Sequence, residues 1–461
     1  MTTTLADVDR AFQETLHMPD LGALHVVLAT VAANRMVGEP VWLLLIGPPS
    51  SAKTETVETL TELAETYTLS STTKAGLLSG SSERGGTGGV LMDAGERFVL
   101  VVKDFTTICS EHASTRNEVL AIFRELFDGK VKRAVGTGGG RVLSWRGRAG
   151  CIACATDAVD AVDMATFGER WLRYRLPASS DDDRLLAGIA ALENLGYQGD
   201  QRARRLVAVT AFFGDLNVPD RPPPMSTEEE DRLILLADLG ARCRSAVVRG
   251  GGHADEITQV PHAEEIPRLL GELGQLSAGL SVIGVGDDER RGLLAKCALD
   301  AMSSMRRRVI EVLLAATGDC RTTTVAARCR VPATSIRRHL QDLCALGVIE
   351  LTGTEPETWQ AGTWLRERWA QAVGPPAPAE TPPVGPSTAP DDGPGARDLA
   401  QRLALLGAED SHILEARFAE RWPKERALRL SHMGWAEDLR RWRPELRRWV
   451  GEELARIGGV R

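Results

Sequence analysis

One short stretch of the sequence combines glycine, lysine and threonine at a spacing that binds phosphate groups. Residues 47–54 read Gly-Pro-Pro-Ser-Ser-Ala-Lys-Thr. In such a loop the backbone N–H groups and the next helix N-terminus surround the phosphates, Lys53 neutralises the terminal phosphates, and Thr54 coordinates Mg²⁺. The predicted residues for binding ATP with Mg²⁺ are therefore Gly47, Pro48, Pro49, Ser50, Ser51, Ala52, Lys53 and Thr54.

The segments on either side of this loop are those that the motif requires. Residues 41–46 are a continuous apolar run of strand length, and after the loop Val57, Leu60, Leu63 and Tyr67 recur at helical spacing. This strand, loop and helix order favours phosphate binding over a chance match on a surface turn.

Ala52 departs from the commonest form of the motif, which has glycine at this position. A left-handed backbone would cost a non-glycine residue about 1 to 2 kcal/mol. We therefore predict a right-handed backbone at Ala52, where the helix begins and alanine is favoured over glycine by up to about 1 kcal/mol.

Two further apolar runs end in polar residues that suit ATP hydrolysis. Residues 98–102 lead to Asp104, whose carboxylate can hold the water shell of Mg²⁺ or orient the attacking water. Residues 151–155 lead to Thr156, which is placed to contact the γ-phosphate or that water. Lys103 stands where a neighbouring acid is usual, so one of the two carboxylate roles lacks an obvious occupant.

Residues between and after these runs add a hairpin and a group of arginines. Residues 131–145 predict two short strands joined by the glycines of 137–140. Arg170 stands before a short strand-like segment with two more arginines. We interpret Arg170 as a catalytic arginine contributed to a neighbouring subunit, and surface solvation is the alternative.

Residues 305–373 predict helix, helix, turn, helix and two short strands, similar to winged helix-turn-helix domains. Thr322 and Thr334 are the predicted helix N-caps, and residues 347–351 and 358–360 can pair as the wing. The last helix leaves outside a set of residues whose types contact base edges and phosphates, namely Ser335, Arg337, Arg338 and Gln341. A structural or protein-binding role is the alternative to DNA binding.

The order of segments predicts an α/β fold with a parallel sheet flanked by helices, followed by helical regions. The predicted parts are an N-terminal helical segment (1–36), an ATPase core (37–178), a helical lid (179–304), the winged helix (305–373), a Pro-rich linker (374–396) and an Arg- and Trp-rich helical tail (397–461).

The predicted tail carries apolar residues at heptad spacing among arginines, namely Trp435, Leu439, Trp442, Leu446 and Trp449. This pattern favours docking of a protein partner, and stacking on nucleic-acid bases is the alternative.

Composition limits the other possibilities. A net charge of −8 over 461 residues gives no global attraction to DNA, so DNA binding must use local patches. No apolar run reaches the roughly 20 residues of a membrane helix, and residues 1–7 lack signal-peptide features, so we expect a cytoplasmic protein without membrane contact. Cys151 and Cys154 form a CxxC, but their apolar surroundings predict a buried strand and not a zinc site.

The combined order of these features resembles a known family. Residues 40–300 resemble the AAA+ ATPases with a hairpin before the sensor strand, and within them the minichromosome maintenance helicases, which also have alanine before the loop lysine. The resemblance extends to a glycine- and serine-rich stretch at 76–89 and to the phenylalanine after Asp104. It implies that Arg170 is the arginine finger and Arg268 the lid sensor, and that Arg141 and Arg146 of the hairpin contact DNA.

The leading hypothesis is an ATP-hydrolysing ring, with a hexamer expected, that acts on DNA as a helicase or translocase of a replication or mobile-element system. Lys53, Asp104 and Thr156 would act within one subunit and Arg170 across to the next. One alternative is an ATP-gated DNA-binding regulator with little hydrolysis. The other is an ATP-driven remodeller of a protein partner docked through the tail.

Overall fold

A computed structural model describes residues 2–70, 77, 89–135, 141–161, 170–250, 256–260 and 262–375, without the side chains of 134, 135, 141 and 161. These described residues belong to one compact unit. The predicted tail, the predicted linker beyond residue 375, the hairpin turn at 137–140 and most of the stretch at 76–89 lie outside the described residues.

The strands within these ranges are, in chain order, β1 (Trp42–Ile46), β2 (Thr66–Leu69), β3 (Arg97–Val102), β4 (Lys130–Val135), β5 (Arg141–Arg146), β6 (Arg148–Ala155), β7 (Leu172–Arg175), β8 (Val248–Arg249), β9 (Ile257–Gln259), β10 (Cys320–Arg321), β11 (Ile349–Thr354) and β12 (Glu357–Ala361). Five of them form a sheet in the order β2-β3-β6-β1-β7, in which every neighbouring pair is parallel. The predicted parallel sheet flanked by helices is confirmed.

The helices are α1 (Leu5–Gln13), α2 (Gly22–Arg35), α3 (Lys53–Glu58), α4 (Val90–Asp93), α5 (Phe105–Ser110), α6 (Ala113–Phe127), α7 (Asp181–Glu193), α8 (Gln198–Asp215), α9 (Thr227–Arg244), α10 (Pro267–Val282), α11 (Asp287–Asp300), α12 (Ser304–Leu314), α13 (Thr322–Cys329), α14 (Ala333–Ala345) and α15 (Thr363–Ala372). A short 3₁₀ turn, Asp157–Ala161, follows β6.

The central strand β1 is buried on both faces, as parallel strands between helix layers are. Leu43 and Leu45 point into an aliphatic core that is shared with α2 and α9–α11. Trp42 and Leu44 point into a second core, which is rich in aromatic rings from β3, α5 and α6. Because the first core runs without a break from the sheet into α9–α11, the predicted boundary near residue 178 does not separate two hydrophobic cores.

Helices α2 and α10 cross closely beside this sheet. All of α2 from Gly22 to Asn34 is buried. At Gly279 a Cβ atom would lie 2.2 Å from the carbonyl oxygen of Ala29, so only glycine fits the crossing. The N-terminal helices are thus part of the core that supports the sheet.

Helix α3 is shorter than the sequence pattern predicts. It ends at Glu58, and Tyr67 lies in β2, although Leu60 and Leu63 are buried as expected. The threonines of this segment bond back to main-chain carbonyl groups; the hydroxyl of Thr59, for example, donates to the carbonyl oxygen of Thr56 at 2.7 Å. Such bonds compete with the helix ladder and shorten the helix.

Residues 304–372 combine α12–α15 with a three-stranded antiparallel sheet in the order β10-β12-β11. The predicted pairing of the two C-terminal strands is confirmed. The predicted threonine caps are wrong by one or two residues, because Arg321 and Pro332 occupy the N-cap positions and neither makes a side-chain cap bond.

Among the described residues, no helix combines the length and the apolar character needed to cross a membrane.

Candidate phosphate-binding site

The loop between β1 and α3 takes an unusual backbone path. Ser50 and Ala52 both have φ of 61°, in the left-handed region. The prediction of a right-handed Ala52 is therefore wrong: the residue precedes the helix as its N-cap and does not begin it. The left-handed residues let the loop turn tightly, at a conformational cost of about 1 to 2 kcal/mol for each side chain.

Lys53 lies at the first turn of α3 with its ammonium group inside the loop. Its Nζ donates to the carbonyl oxygens of Gly47 at 2.7 Å and Pro48 at 2.6 Å, and to Oγ of Ser51 at 3.0 Å. The residue is only 9% exposed, and burial lowers the pKa of its ammonium group. The chain thus holds a positive charge in a confined loop at the edge of the sheet.

The carboxyl ends of β1, β3 and β6 meet at this edge. Ile46 pairs with Ala155, and the N–H of Gly47 donates to the carbonyl oxygen of Ala155 at 3.1 Å. Thr156 follows directly, and its N–H donates to Oγ1 of Thr106 at 2.9 Å. In parallel sheets, ligands bind outside the carboxyl ends of the strands, so the predicted residues lie at the appropriate edge.

Asp104 ends this same edge beyond β3, but its carboxylate already has protein partners. It caps α5 by accepting from the N–H of Thr107 at 3.2 Å, and it also accepts from the Thr107 hydroxyl. Lys103 turns away to Glu58 of α3, at 3.1 Å from Nζ to Oε1. Lys103 therefore forms an ion pair with the helix that follows the loop at 47–52.

A cavity of about 500 Å³ opens over the loop. Residues 15–20, the segment after β7, and helices α7 and α8 form its other walls. Its charged lining includes residues that the sequence analysis did not select, namely His17, Glu55, Asp183, Arg202 and Arg205. Each belongs to a helix or loop segment without a recognisable motif, so no local pattern indicates them.

The two arginines predicted for catalysis lie in different settings. Arg170 is paired with Asp128, at 3.2 Å from Nη2 to Oδ1, and its guanidinium lies 5.6 Å from the ring centroid of Phe127. Its side chain is 16% exposed. Arg268 is exposed at the start of α10 and is not among the residues lining the cavity.

The predicted hairpin is confirmed as an antiparallel pair of β4 and β5. Arg146 is exposed and pairs with Lys130 at the base of the hairpin, whereas Arg141 pairs with Val135 at the end nearer the turn. The two predicted DNA-binding residues are therefore at opposite ends of the hairpin.

On α14, Ser335, Arg337 and Arg338 are exposed, as predicted. Arg337 pairs with Glu357 of β12, at 2.6 Å from Nη2 to Oε1. Gln341 is half-buried, and its Oε1 accepts from Arg249 of β8 at 3.4 Å. The exposed polar surface of α14 is thus concentrated in its first half.

The CxxC segment lies in β6, where Cys151 and Cys154 are buried as predicted. Burial raises the pKa of the Cys154 thiol to about 12, so the thiol stays protonated at neutral pH. Within the residues that the structure covers, no group of three or more His, Cys, Asp or Glu side chains could hold a metal ion.

Comparisons with known proteins give little support for any family. No protein-family model matches the chain, and no curated protein matches it. Among solved structures, it is similar to the apo A form of the NrS-1 C-terminal region, with 10% sequence identity and a TM-score of 0.28 over 78% of this chain and 77% of that chain. This likeness is too weak to carry an argument about fold or function.

Proposed function

We propose that the chain binds ATP with Mg²⁺ and hydrolyses it as an AAA+ type motor that acts on DNA. The observation that carries this proposal is the buried ammonium group of Lys53, held by the carbonyl groups of Gly47 and Pro48 at the carboxyl edge of the sheet. A confined cation in a loop that leads into a helix N-terminus suits a phosphate chain.

The position of Thr156 and Asp104 supports hydrolysis. Strand β6 lies between β3 and β1, so both residues lie at the edge where the loop begins. Thr54 and Asp104 are exposed and supply hydroxyl and carboxylate oxygens, which are ligand types that Mg²⁺ prefers. When bound, Mg²⁺ would neutralise charge on the terminal phosphates, and Asp104 would orient the attacking water.

Three further features support the assignment to a DNA motor. The antiparallel hairpin of β4 and β5 comes before the Thr156 strand. Helices α7 and α8 wall the cavity in the manner expected of a lid. Helices α13 and α14, with the β10-β12-β11 sheet, fit a winged helix that presents Arg337 and Arg338 to a duplex.

The test is ATP turnover of wild type and Lys53→Ala without nucleic acid, with single-stranded DNA and with duplex. We expect turnover that DNA stimulates in the wild type and turnover lost in the variant. The sedimentation of the wild type should shift to a ring-sized species with ATP. Turnover that survives Lys53→Ala, or a monomer indifferent to DNA, would refute the proposal.

One observation favours a second candidate, the ATP-gated DNA-binding regulator. The Asp104 carboxylate is engaged by Thr107, and Lys103 takes the place of a neighbouring acid, so hydrolysis has fewer free carboxylates than a motor needs. This candidate predicts tight ATP binding with negligible turnover. Asp104→Asn separates the two, since it abolishes turnover in a motor and leaves the DNA affinity of a switch unchanged.

A further inference from the structure

Two arginines of α8 line the same cavity as the phosphate loop and bind one carboxylate beside that loop. Nε of Arg202 donates to the two oxygens of Glu55 at 3.0 and 3.1 Å, and Arg205 donates to Oε2 of the same residue. Glu55 directly follows Thr54 in α3. The Glu55 carboxylate therefore accepts hydrogen bonds from two guanidinium groups at the wall of the proposed nucleotide cavity.

The chain holds the two arginines differently. Arg205 is 2% exposed, and its Nη1 donates to Oγ1 of Thr15 at 2.8 Å. Its Nε is buried and has no hydrogen-bond partner in the part of the chain that the structure describes. Arg202 is 56% exposed. Arg205 is thus a fixed donor with an unused N–H group, whereas Arg202 is largely exposed and only Glu55 holds its guanidinium.

The charges at this wall favour an anion larger than one carboxylate. Burial alone would raise the pKa of Glu55, but the hydrogen bonds and charges of Arg202 and Arg205 lower it below its usual value. Glu55 is therefore ionised at neutral pH and faces two arginines, while Lys53 adds a third cation to the same cavity. Asp20 and Asp183 also line this cavity, but each of their carboxylates has another partner, so neither neutralises the two arginines. A polyphosphate would match these cations more fully than the single carboxylate does.

We propose that Arg202 and Arg205 form a second anion-binding subsite, which Glu55 occupies in the nucleotide-free protein and from which the terminal phosphates of ATP displace Glu55. This inference rests on the proposed function, because it assumes that the cavity takes a nucleoside triphosphate. It assigns Glu55 the role of an internal competitor for the two arginines.

The test is the dissociation constant of Mg-ATP, measured by calorimetry for Arg202→Gln and Glu55→Gln. We expect Arg202→Gln to weaken binding about tenfold, because a charged hydrogen-bond donor is lost from a half-exposed site. Glu55→Gln should tighten binding about threefold or more, because the competing charge is gone. The matched control is Arg204→Gln on the same helix, whose arginine pairs with Glu14 at 2.9 Å and does not line the cavity.

The subsite is supported if Arg202→Gln weakens Mg-ATP binding, Glu55→Gln tightens it, and Arg204→Gln stays within about twofold of wild type. If both variants changed the Mg-ATP affinity in the same direction, or neither changed it, the Glu55 contacts would be purely structural and the proposed subsite would be refuted. Glu55→Asp, whose shorter carboxylate reaches the arginines less well, should also tighten binding and serves if Glu55→Gln does not fold. Failure of the wild type to bind Mg-ATP would instead refute the proposed function.

Discussion

Lys53 and Arg337 are both cations predicted to contact phosphate, but the chain holds them in opposite ways. Lys53 is 9% exposed and has three short contacts, two of them to carbonyl groups of its own loop. The side chain of Arg337 is 57% exposed and pairs with Glu357 across the protein surface. A buried, fully placed cation suits one small ligand of fixed geometry, whereas an exposed arginine can adjust to an extended polyanion.

The largest expected effect comes from a substitution at Lys53 that keeps the positive charge and changes the shape of the charged group. In Lys53→Arg the planar guanidinium cannot fit among the same three oxygens, so Mg-ATP affinity should fall about 100-fold, or about 3 kcal/mol. Calorimetric titration measures this, and thermal unfolding serves as the control for folding. An affinity within about threefold of wild type would show that the loop is not prearranged around a lysine.

A second buried cation extends the comparison to the N-terminal helices. His25 is 5% exposed, and its ring nitrogens lie 2.9 Å from Oδ1 of Asp9 and 2.6 Å from Oε1 of Glu289. Burial opposes the charged ring, but the hydrogen bonds and charges of Asp9 and Glu289 outweigh it and raise the pKa of His25 above 6.5. The imidazolium therefore links α1, α2 and α11.

The sign of the resulting pH dependence follows from that raised pKa. The stabilisation is fully present below about pH 6.5, the usual pKa of the ring, and is lost as the pH rises through the higher folded value. His25→Gln should lower the free energy of unfolding by about 1 to 2 kcal/mol at pH 6 and by less at pH 8. Urea unfolding at both pH values measures it, and an equal loss at both would mean that His25 is neutral in the folded protein.

At Arg337, in contrast to Lys53, exchanging one cationic side chain for another should have only a small effect on the affinity for the proposed ligand, a DNA duplex. Arg337→Ala should weaken duplex binding about tenfold and reduce the slope of log affinity against log salt by about one, as loss of one phosphate contact does. Arg337→Lys should change affinity by less than about threefold, because an exposed lysine can still reach a phosphate. Arg291→Ala, at another exposed arginine with an acidic partner, is the matched control.

If Arg337→Lys lost as much affinity as Arg337→Ala, the arginine would make a bidentate contact to a base and not a simple phosphate contact. Arg337 would then be like Lys53 in that no other cationic side chain could replace it. Filter binding across a salt series separates these outcomes.

Local patterns are enough to predict the strand ends that form the edge of the site. The apolar runs that end before Gly47, Asp104 and Thr156 marked parallel strands whose carboxyl ends meet at one edge. The hairpin and the C-terminal strand pair were likewise visible, because their turns and alternation are local signals.

Long-range contacts were not predictable in this way. Glu55 and Arg202 are 147 residues apart, and nothing in either helix indicates the other as its partner. The sequence pattern predicts a helical region at 179–304, but not that α9–α11 pack on the sheet itself. The left-handed Ala52 was not predicted, because intrinsic propensities disfavour this backbone for alanine and do not include the bonds that Lys53 makes within the loop.

The smallest predicted effect concerns a left-handed backbone residue in each of the two regions. Ala52 at the phosphate loop and Arg330 at the end of α13 both have left-handed φ, of 61° and 56°. Glycine adopts this conformation without a Cβ clash, but it also gains freedom in the unfolded chain. Ala52→Gly and Arg330→Gly should therefore each raise the free energy of unfolding modestly, by up to about 1 kcal/mol.

The two substitutions should differ in function even where they agree in stability. Ala52→Gly frees the loop that places Lys53, so Mg-ATP affinity should fall slightly, by about twofold, as preorganisation is lost. Arg330→Gly should leave Mg-ATP affinity unchanged, because the residue is the C-cap of α13 and does not line the cavity. If Ala52→Gly lowered the stability, the left-handed Ala52 would not be strained, and the loop would owe its shape to the alanine side chain.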